Sequence, residues 1–292
     1  MASVQKHFKL DTKNHKNFNV VIEEYNSAFE VAEDCNNRQM TSSRFTDIKN
    51  NGDWGWNGCE SYEEALNLLR NGYVDKVEEI KKQIDKSVRG QTKRIKFSND
   101  IVGYAPIVPL AIQGVPNSMI NATMKPIKTK VLEICYDMTC SCATSSSDII
   151  KVGVEFLKVI AGLEMQGYRI KLTAVQTYTN NDKSFILKVN LKSANQPLDL
   201  KRISFPTMHT AFFRVIGFDW YSKTPRGEYM SGYGHALAYE FKDEEEFDDF
   251  KCKTFGNNVV YICAKKFIDL TEQKLQEKLK EVIINECKRN NT

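Results

Sequence analysis

Asp137, Thr139 and Ser141 stand in a D-x-T-x-S spacing directly after the short apolar run Lys130-Val-Leu-Glu-Ile-Cys-Tyr136. One carboxylate and two hydroxyls on a single loop supply the hard oxygens that Mg²⁺ takes, with coordination positions left for water or a partner's carboxylate. The same residues can instead cap the following helix and close the loop. Other chemistry is thinner. Cys140 and Cys142 form a C-x-C with no second pair or nearby His to complete a zinc set. His235 could act as a base towards Ser231 or Cys252, but no G-x-S-x-G elbow, H-E-x-x-H or Walker A accompanies it. His7 and His15 lie in a polar N-terminus, and His209 lies in the second half. The glycines of GEYMSGYGHA (227, 232, 234) lack the strand and helix that make a phosphate loop and read as a surface turn. Arg202 and Arg214 could take a carboxylate or phosphate, although helix arginines more often pair with local acids.

Two further groups are candidates for binding. NNGDWGWNG carries Trp54 and Trp56 on a Gly/Asn-punctuated loop, either as a binding tip or as packing for an N-terminal arm. Over 86–96 the charge turns basic through Lys86, Arg89, Lys93, Arg94 and Lys96, a patch suited to phosphate but without an interleaved aromatic platform.

The elements that must position these residues follow from periodicity. The run at 130–136 reads as a strand buried on both faces, and a helix from about 147 is apolar nearly all round, so it is packed on most sides. Tyr168–Val175 and Phe185–Leu191 alternate around an Asn/Asp turn and predict an antiparallel hairpin at the sheet edge. Before them, Ser61 and Glu64 form a capping box that opens an amphipathic helix reaching Val88, with Gly72 as the place where it splits. Residues 97–128 are rich in Pro and Gly and read as an irregular connection, since Pro106, Pro109 and Pro116 argue against central strands. Further on, 198–213 reads as helical with a break at Pro206 and 235–241 as strand or loop. The run DEEEFDDF opens a helix, 258–264 is a core strand, and 269–272 caps a last helix. The expected organisation is an N-terminal arm with amphipathic helix (1–96), the connection (97–128) and an α/β domain (129–292).

Composition sets the outer limits. With 41% hydrophobic residues, 16 Phe and 12 Tyr in 292 residues, wholesale disorder is excluded. No apolar run approaches the ~20 residues of a membrane span. MASVQKHFKL has no apolar h-region, so no secretory signal is expected. On that basis the eight cysteines read as reduced thiols of a cytosol. A net charge of +4 is too mild to mark a nucleic-acid protein by itself.

Strand, D-x-T-x-S, helix and antiparallel hairpin, in that order, resemble the metal-ion-dependent adhesion site of von Willebrand factor A domains, usually D-x-S-x-S. The resemblance implies a mixed, A-domain-like sheet flanked by helices, with Mg²⁺ held by Asp137, Thr139 and Ser141. In that family a Thr from a second loop and an Asp from a third complete the site. Thr177, Thr179, Thr207 and Thr210 are possible stand-ins for the Thr, and Asp219 for the Asp. A wider resemblance rests on W-x-G-x-x-S-Y-E-E-A-L-x-L-L-x-x-G-Y (Trp56–Tyr73) and G-V-P-N-S-M (Gly114–Met119). The strand ending at Asp137 and P-L-D-L-x-R-I-S-F…F-F-R-V-I-G-F (Pro197–Phe218) extend it. These segments resemble a family of uncharacterised bacteriophage and prophage proteins. That implies a phage origin and an A-domain-like fold with an N-terminal helical arm, and supplies no catalytic residue.

The expected function is therefore a phage-encoded, non-enzymatic binding or assembly module that docks a phage or host protein. It would do so through the 137–147 loop and the Trp54/Trp56 arm, with Mg²⁺ assisting but not required. The alternatives are an RNA-associated factor using Arg89, Lys93, Arg94 and Lys96, and an inhibitor of a host defence protein. The expected setting is the cytoplasm of an infected bacterial host or the virion, without a membrane and with the oligomeric state open.

Overall fold

The computed structural model describes residues 4–40, 48–51, 53–87, 93–126, 130–180, 183–224, 235–241 and 243–289. Two strands, β1 (Val4–Leu10) and β2 (Phe18–Tyr25), open the chain. After them come α1 (Ala28–Asn37), the short turns α2 (Ile48–Asn51) and α3 (Trp54–Asn57), then α4 (Tyr62–Asn71) and α5 (Val74–Ser87). A separate small unit holds β3 (Lys93–Asp100), β4 (Ala105–Pro106), α6 (Val108–Ile112) and β5 (Met119–Pro126). The second half runs through β6 (Val131–Asp137), α7 (Ser146–Met165), β7 (Arg169–Asn180) and β8 (Lys183–Lys192). It continues with α8 (Leu200–Met208), a π-helical stretch (Phe212–Gly217), α9 (Phe218–Ser222), α10 (Leu237–Glu240) and α11 (Glu244–Phe255). β9 (Val259–Cys263) and α12 (Glu272–Arg289) end the described chain.

Six strands form one mixed sheet in the order β1-β2-β8-β7-β6-β9, with β7, β6 and β9 mutually parallel and β2 parallel to β8. Its two faces are set by strand alternation. On one face Val21, Leu132, Ile134 and Tyr136 pack under α1, α4, α7, α8 and α12 in the larger apolar cluster. On the other, Phe18, Val20, Ile22, Cys135 and Val175 pack under Leu237, Phe241, Phe247 and Phe250 of the α10–α11 region. α7 is apolar nearly all round because the sheet, α5, α8 and α12 surround it. Gly153 is where α7 meets α8: a Cβ there would collide with the Thr207 carbonyl.

The capping signal at Ser61 holds, with Ser61 Oγ accepting from the Glu64 amide at 3.1 Å. The helix splits at Gly72, whose φ of 74° suits glycine. Five expectations change, the first being that 235–241, read as strand or loop, carries the helix α10 after a single bridge from His235 to Thr179. Residues 4–25 belong to the large sheet rather than to a separate helical arm, because the apolar Phe18–Ile22 segment has both faces to bury. That same addition moves the β7–β8 hairpin inward from the edge, since β2 covers β8. Residues 97–128, read as irregular, contribute to a three-stranded antiparallel sheet of order β3-β5-β4 that begins at Lys93, with Pro106 on an edge strand where no ladder donor is needed. Pro206 lies inside α8, and the break comes after Met208, at His209.

Candidate functional site

In open α/β sheets ligands bind beyond the carboxyl ends of the parallel strands. Here those ends belong to β6, β7 and β9, and they meet the starts of β2 and β8. Asp137 ends β6 and is fully buried. Its Oδ1 accepts the Thr139 amide at 2.9 Å, and its Oδ2 accepts the Thr177 hydroxyl at 3.1 Å and the Tyr261 phenol at 2.5 Å. Thr177 Oγ1 accepts the Leu237 amide at 2.9 Å, while the Thr177 amide donates to Thr139 Oγ1 at 2.9 Å. One carboxylate therefore ties together β6, β7, β9 and the 235–241 segment. Burial raises the Asp137 carboxyl above its usual range, and the hydrogen bonds from Thr139, Tyr261 and Thr177 oppose that rise. Burial and the neighbouring Asp137 push the Tyr261 phenol well up.

Of the hydroxyls named as stand-ins, only Thr177 reaches Asp137. Thr179 bonds Ser184, Thr207 bonds its own helix at the Ile203 carbonyl, and Thr210 bonds the Asn57 carbonyl. Asp219 is engaged elsewhere, with Lys223 at 2.5 Å and the Tyr62 hydroxyl at 3.1 Å. Ser141 is half-buried, and its Oγ accepts the Ala143 amide at 3.3 Å. A cation at Asp137, Thr139 and Ser141 has to compete with these protein donors for the same oxygens.

The loop after Asp137 is clamped by a buried arginine. Arg214, 1% exposed, donates to the carbonyls of Trp56 and Thr144, each at 2.6 Å, and to Ser146 Oγ at 3.3 Å. Its guanidinium lies 4.1 Å from the Trp56 ring centroid. The Trp56 indole donates to the Cys142 carbonyl at 2.9 Å and stacks on Phe218. Trp56 thus joins the α3 turn to the 140–146 loop, and Trp54 packs partly buried against the main cluster. The two regions proposed for binding are brought together, with both indoles committed to packing.

The basic residues are not brought to this edge. Lys93, Arg94 and Lys96 begin β3 on the small sheet, and Arg89 lies outside the described residues. Ser231 and the glycines at 227, 232 and 234 also lie outside them, and Cys252 is exposed on α11.

A further cluster at this edge was not legible in the sequence. His15, just before β2, has Nδ1 at 3.2 Å from Glu246 and Nε2 at 3.3 Å from Glu240. His235 Nε2 lies 2.7 Å from the other Glu240 oxygen. Glu246 also accepts from Thr12 Oγ1 at 2.5 Å and from the Asn14 amide at 2.8 Å. Burial alone would raise this carboxyl, and the bonds from Thr12, Asn14 and His15 outweigh it and bring it down to about 2. The arrangement fixes the His15 ring between two carboxylates and fastens the β1–β2 turn to α10 and α11. Only a strand reading of 18–25 could have placed His15 at the head of a strand, and nothing in spacing joins it to Glu240 or Glu246. Among the described residues no three His, Cys, Asp or Glu side chains form a metal-holding group.

Outside the edge, the small sheet is conspicuous for what it exposes. Phe97, Ile101, Val102, Tyr104, Val108 and Ile112 are each 58–80% exposed, and neither apolar cluster includes a described side chain of 97–122. Among the described residues no helix is long and apolar enough to cross a membrane. No curated protein and no solved structure matches the chain. A family model described as a domain of unknown function (DUF7192) matches residues 6–275, and the chain belongs to that family.

Proposed function

We propose that this chain is a phage-encoded, non-enzymatic protein-binding or assembly module with a von Willebrand factor A-like α/β body. The observation that carries this reading is the run of exposed large apolar side chains between Phe97 and Ile112. Apolar surface of this kind, gathered on one unit and excluded from the core, marks a surface that a protein partner covers. In this reading the D-x-T-x-S loop is a clasp, and Mg²⁺ is not required, because Asp137 already has three protein donors. The same α/β body suits a host-directed inhibitor, which is a binding module with a particular target.

A nucleic-acid reading draws on the order of residues along β3, where Lys93, Arg94 and Lys96 precede Phe97, an exposed ring. The test that separates the two is affinity capture from infected bacterial cells, with and without nuclease, in Mg²⁺ and in EDTA. Tagged wild type is compared with the triple variant Ile101→Ser/Val102→Ser/Tyr104→Ser. The expected result is a protein partner that survives nuclease and EDTA and is lost with the triple variant. Recovery of nucleic acid alone overturns the reading, and a partner lost in EDTA replaces it with a metal-dependent one.

A further inference from the structure

The large sheet has a second edge at which parallel strands end. β2 and β8 run parallel to each other and finish at Tyr25 and Lys192, opposite the edge that holds Asp137. The carboxyl ends of parallel strands are where open α/β sheets take ligands. β8 is also bulged here: Thr173 pairs with Asn190 and Leu172 with Lys192, so Leu191 is an extra residue. Bulges re-aim side chains and are over-represented beside functional sites. Asn190 and Lys192 line a cavity of about 300 Å³ together with Glu24, Lys171, Gln196 and Arg202. Every side chain that lines it except Leu191 is polar or charged, which suits a small hydrophilic ligand rather than an apolar one.

The charges at this cavity are paired, with one exception. Lys192, 4% exposed, donates to the Ile170 carbonyl at 2.8 Å and lies 2.6 Å from Glu164, so it is a fixed part of the wall. Lys171 lies 2.6 Å from Glu133, and Glu24 lies 3.5 Å from Lys188 and 3.2 Å from Asn190 Nδ2. Arg202 is exposed and has no acid partner among the described residues. Asp199, the α8 cap, accepts the amides of Lys201 and Arg202 and forms no ion pair with the guanidinium. Arg214, by contrast, spends its terminal nitrogens on protein oxygens. An open guanidinium fork takes a carboxylate or phosphate bidentately. Lys171, half-buried, is a second cation at the cavity, and two cations favour a dianionic phosphate over a carboxylate. Gln196 Oε1 accepts the Ser193 amide at 3.0 Å, which leaves its amino group to donate to a hydroxyl. We propose that this cavity binds a small phosphorylated polyol, its phosphate on Arg202 and Lys171 and its hydroxyls on Asn190, Gln196 and Glu24. The proposal goes beyond the protein-binding reading and does not depend on it, since no residue of 93–126 lines the cavity.

The experiment titrates the full chain by isothermal calorimetry with glycerol 3-phosphate, ribose 5-phosphate and glucose 6-phosphate, and with glucose and inorganic phosphate as the separate halves. Saturable binding of at least one phosphorylated polyol is expected, roughly tenfold tighter than glucose or inorganic phosphate. Arg202→Gln should weaken it about tenfold, and Arg202→Lys, which keeps the charge but not the fork, by less. Lys171→Gln should weaken it as well, and it decides the matter if Arg202→Gln lowers the urea midpoint. Lys201→Gln removes a neighbouring exposed cation that does not line the cavity and should change nothing. Binding of none of the phosphorylated polyols, binding that Arg202→Gln and Lys171→Gln leave as in wild type, or an equal loss with Lys201→Gln overturns the proposal. Inorganic phosphate held as tightly as every phosphorylated polyol also overturns it. None of these results bears on capture through Ile101, Val102 and Tyr104, so the two readings fail separately.

Discussion

At the carboxyl edge of the large sheet most buried polar groups are matched, the exceptions being Arg214 Nε, the Tyr136 hydroxyl and Asn57 Nδ2. Asp137 accepts three hydrogen bonds, Arg214 spends its terminal nitrogens on two carbonyls and a hydroxyl, and Glu246 is held by Thr12, Asn14 and His15. On the small sheet of 93–126 the situation is reversed, with large apolar side chains facing water and none of them in either core cluster. A site that must accept a ligand keeps valences open, whereas a clasp fills them. The residues with the most suggestive chemistry in the sequence are the ones most fully occupied in the structure. The surface proposed for binding lies instead in a segment whose composition suggested only a connection.

If the carboxyl edge is a clasp, removing its central group should destabilise the whole body. Asp137→Ala leaves the Thr139 amide and the Thr177 and Tyr261 hydroxyls buried without their acceptor, and should cost about 3–5 kcal/mol of unfolding free energy in urea. Asp137→Asn keeps an acceptor of the same shape, and the two hydroxyls can turn, so its loss should be about 1–2 kcal/mol. A large stabilisation by Mg²⁺ that is present in wild type and lost in Asp137→Asn would contradict the clasp and restore the metal site. Arg214→Met comes next, at about 2–4 kcal/mol, because the Trp56 and Thr144 carbonyls lose their donor and the Trp56 ring loses its cation. Trp56 fluorescence should change in that variant before global unfolding.

The difference between the regions also has a pH signature. His209 is buried on the α8 side and its imidazole is pushed down to about 4, so the neutral ring is favoured in the folded state. Its contribution is complete above the ordinary histidine value of 6.5 and is lost as pH falls towards 4. Glu246, brought down to about 2, contributes fully above 4.5 and is lost as pH falls towards 2. Asp137 runs the other way, because its raised carboxyl favours the protonated form and its share of stability is lost as pH rises through the folded value. Stability should therefore decline on acidification in two stages, each with a slope of at most about 1.4 kcal/mol per pH unit. His209→Gln should flatten the upper stage and Glu246→Gln the lower one. Denaturation midpoints taken from pH 7.5 to 2.5 decide this, and a single transition untouched by either variant would refute it.

How much of this was legible depends on whether the signal was local. The Ser61 cap, the split at Gly72, the buried strand before Asp137 and the all-round apolar α7 are written in neighbouring residues and stand as read, although the Glu64 carboxylate takes the Glu60 amide rather than that of Ser61. β2 pairs with β8 across about 160 residues of chain, and no local pattern reports that partner. The alternation that identified the β7–β8 hairpin therefore could not say that it lies inside the sheet. The same limit hid the His15–Glu240–His235 contacts, since each residue is ordinary where it stands. Thr177 was among four threonines offered for one role, and only the β6–β7 register, which sets Asp137 beside Val175, brings it to the carboxylate. In 97–128 Pro106, Pro109 and Pro116 argue against central strands, and they lie in edge strand β4, in the first turn of α6 and in a bend, but Met119–Pro126 pairs on both sides as the middle strand.

The smallest expected effect on stability is also the one that most clearly separates the two regions. Ile101, Val102 and Tyr104 contribute to neither apolar cluster and are exposed, so replacing all three with Ser removes little buried contact. Exposed positions of this kind each change unfolding free energy by about 0.5 kcal/mol or less in either direction, so the three together stay within about 1.5 kcal/mol. Asp137→Ala, by contrast, changes a single residue and removes more than that. A partner held by the small sheet should be lost with the triple variant while the urea midpoint moves less than in Asp137→Ala. A conservative Asp137→Asn should shift the midpoint and leave capture intact. Binding and stability would then be separable along the chain, as expected when one region is closed upon itself and the other is built to be covered. If the triple variant instead lowers the midpoint by as much as Asp137→Ala, the exposed residues are part of the folded body's own packing, and the contrast drawn between the regions fails.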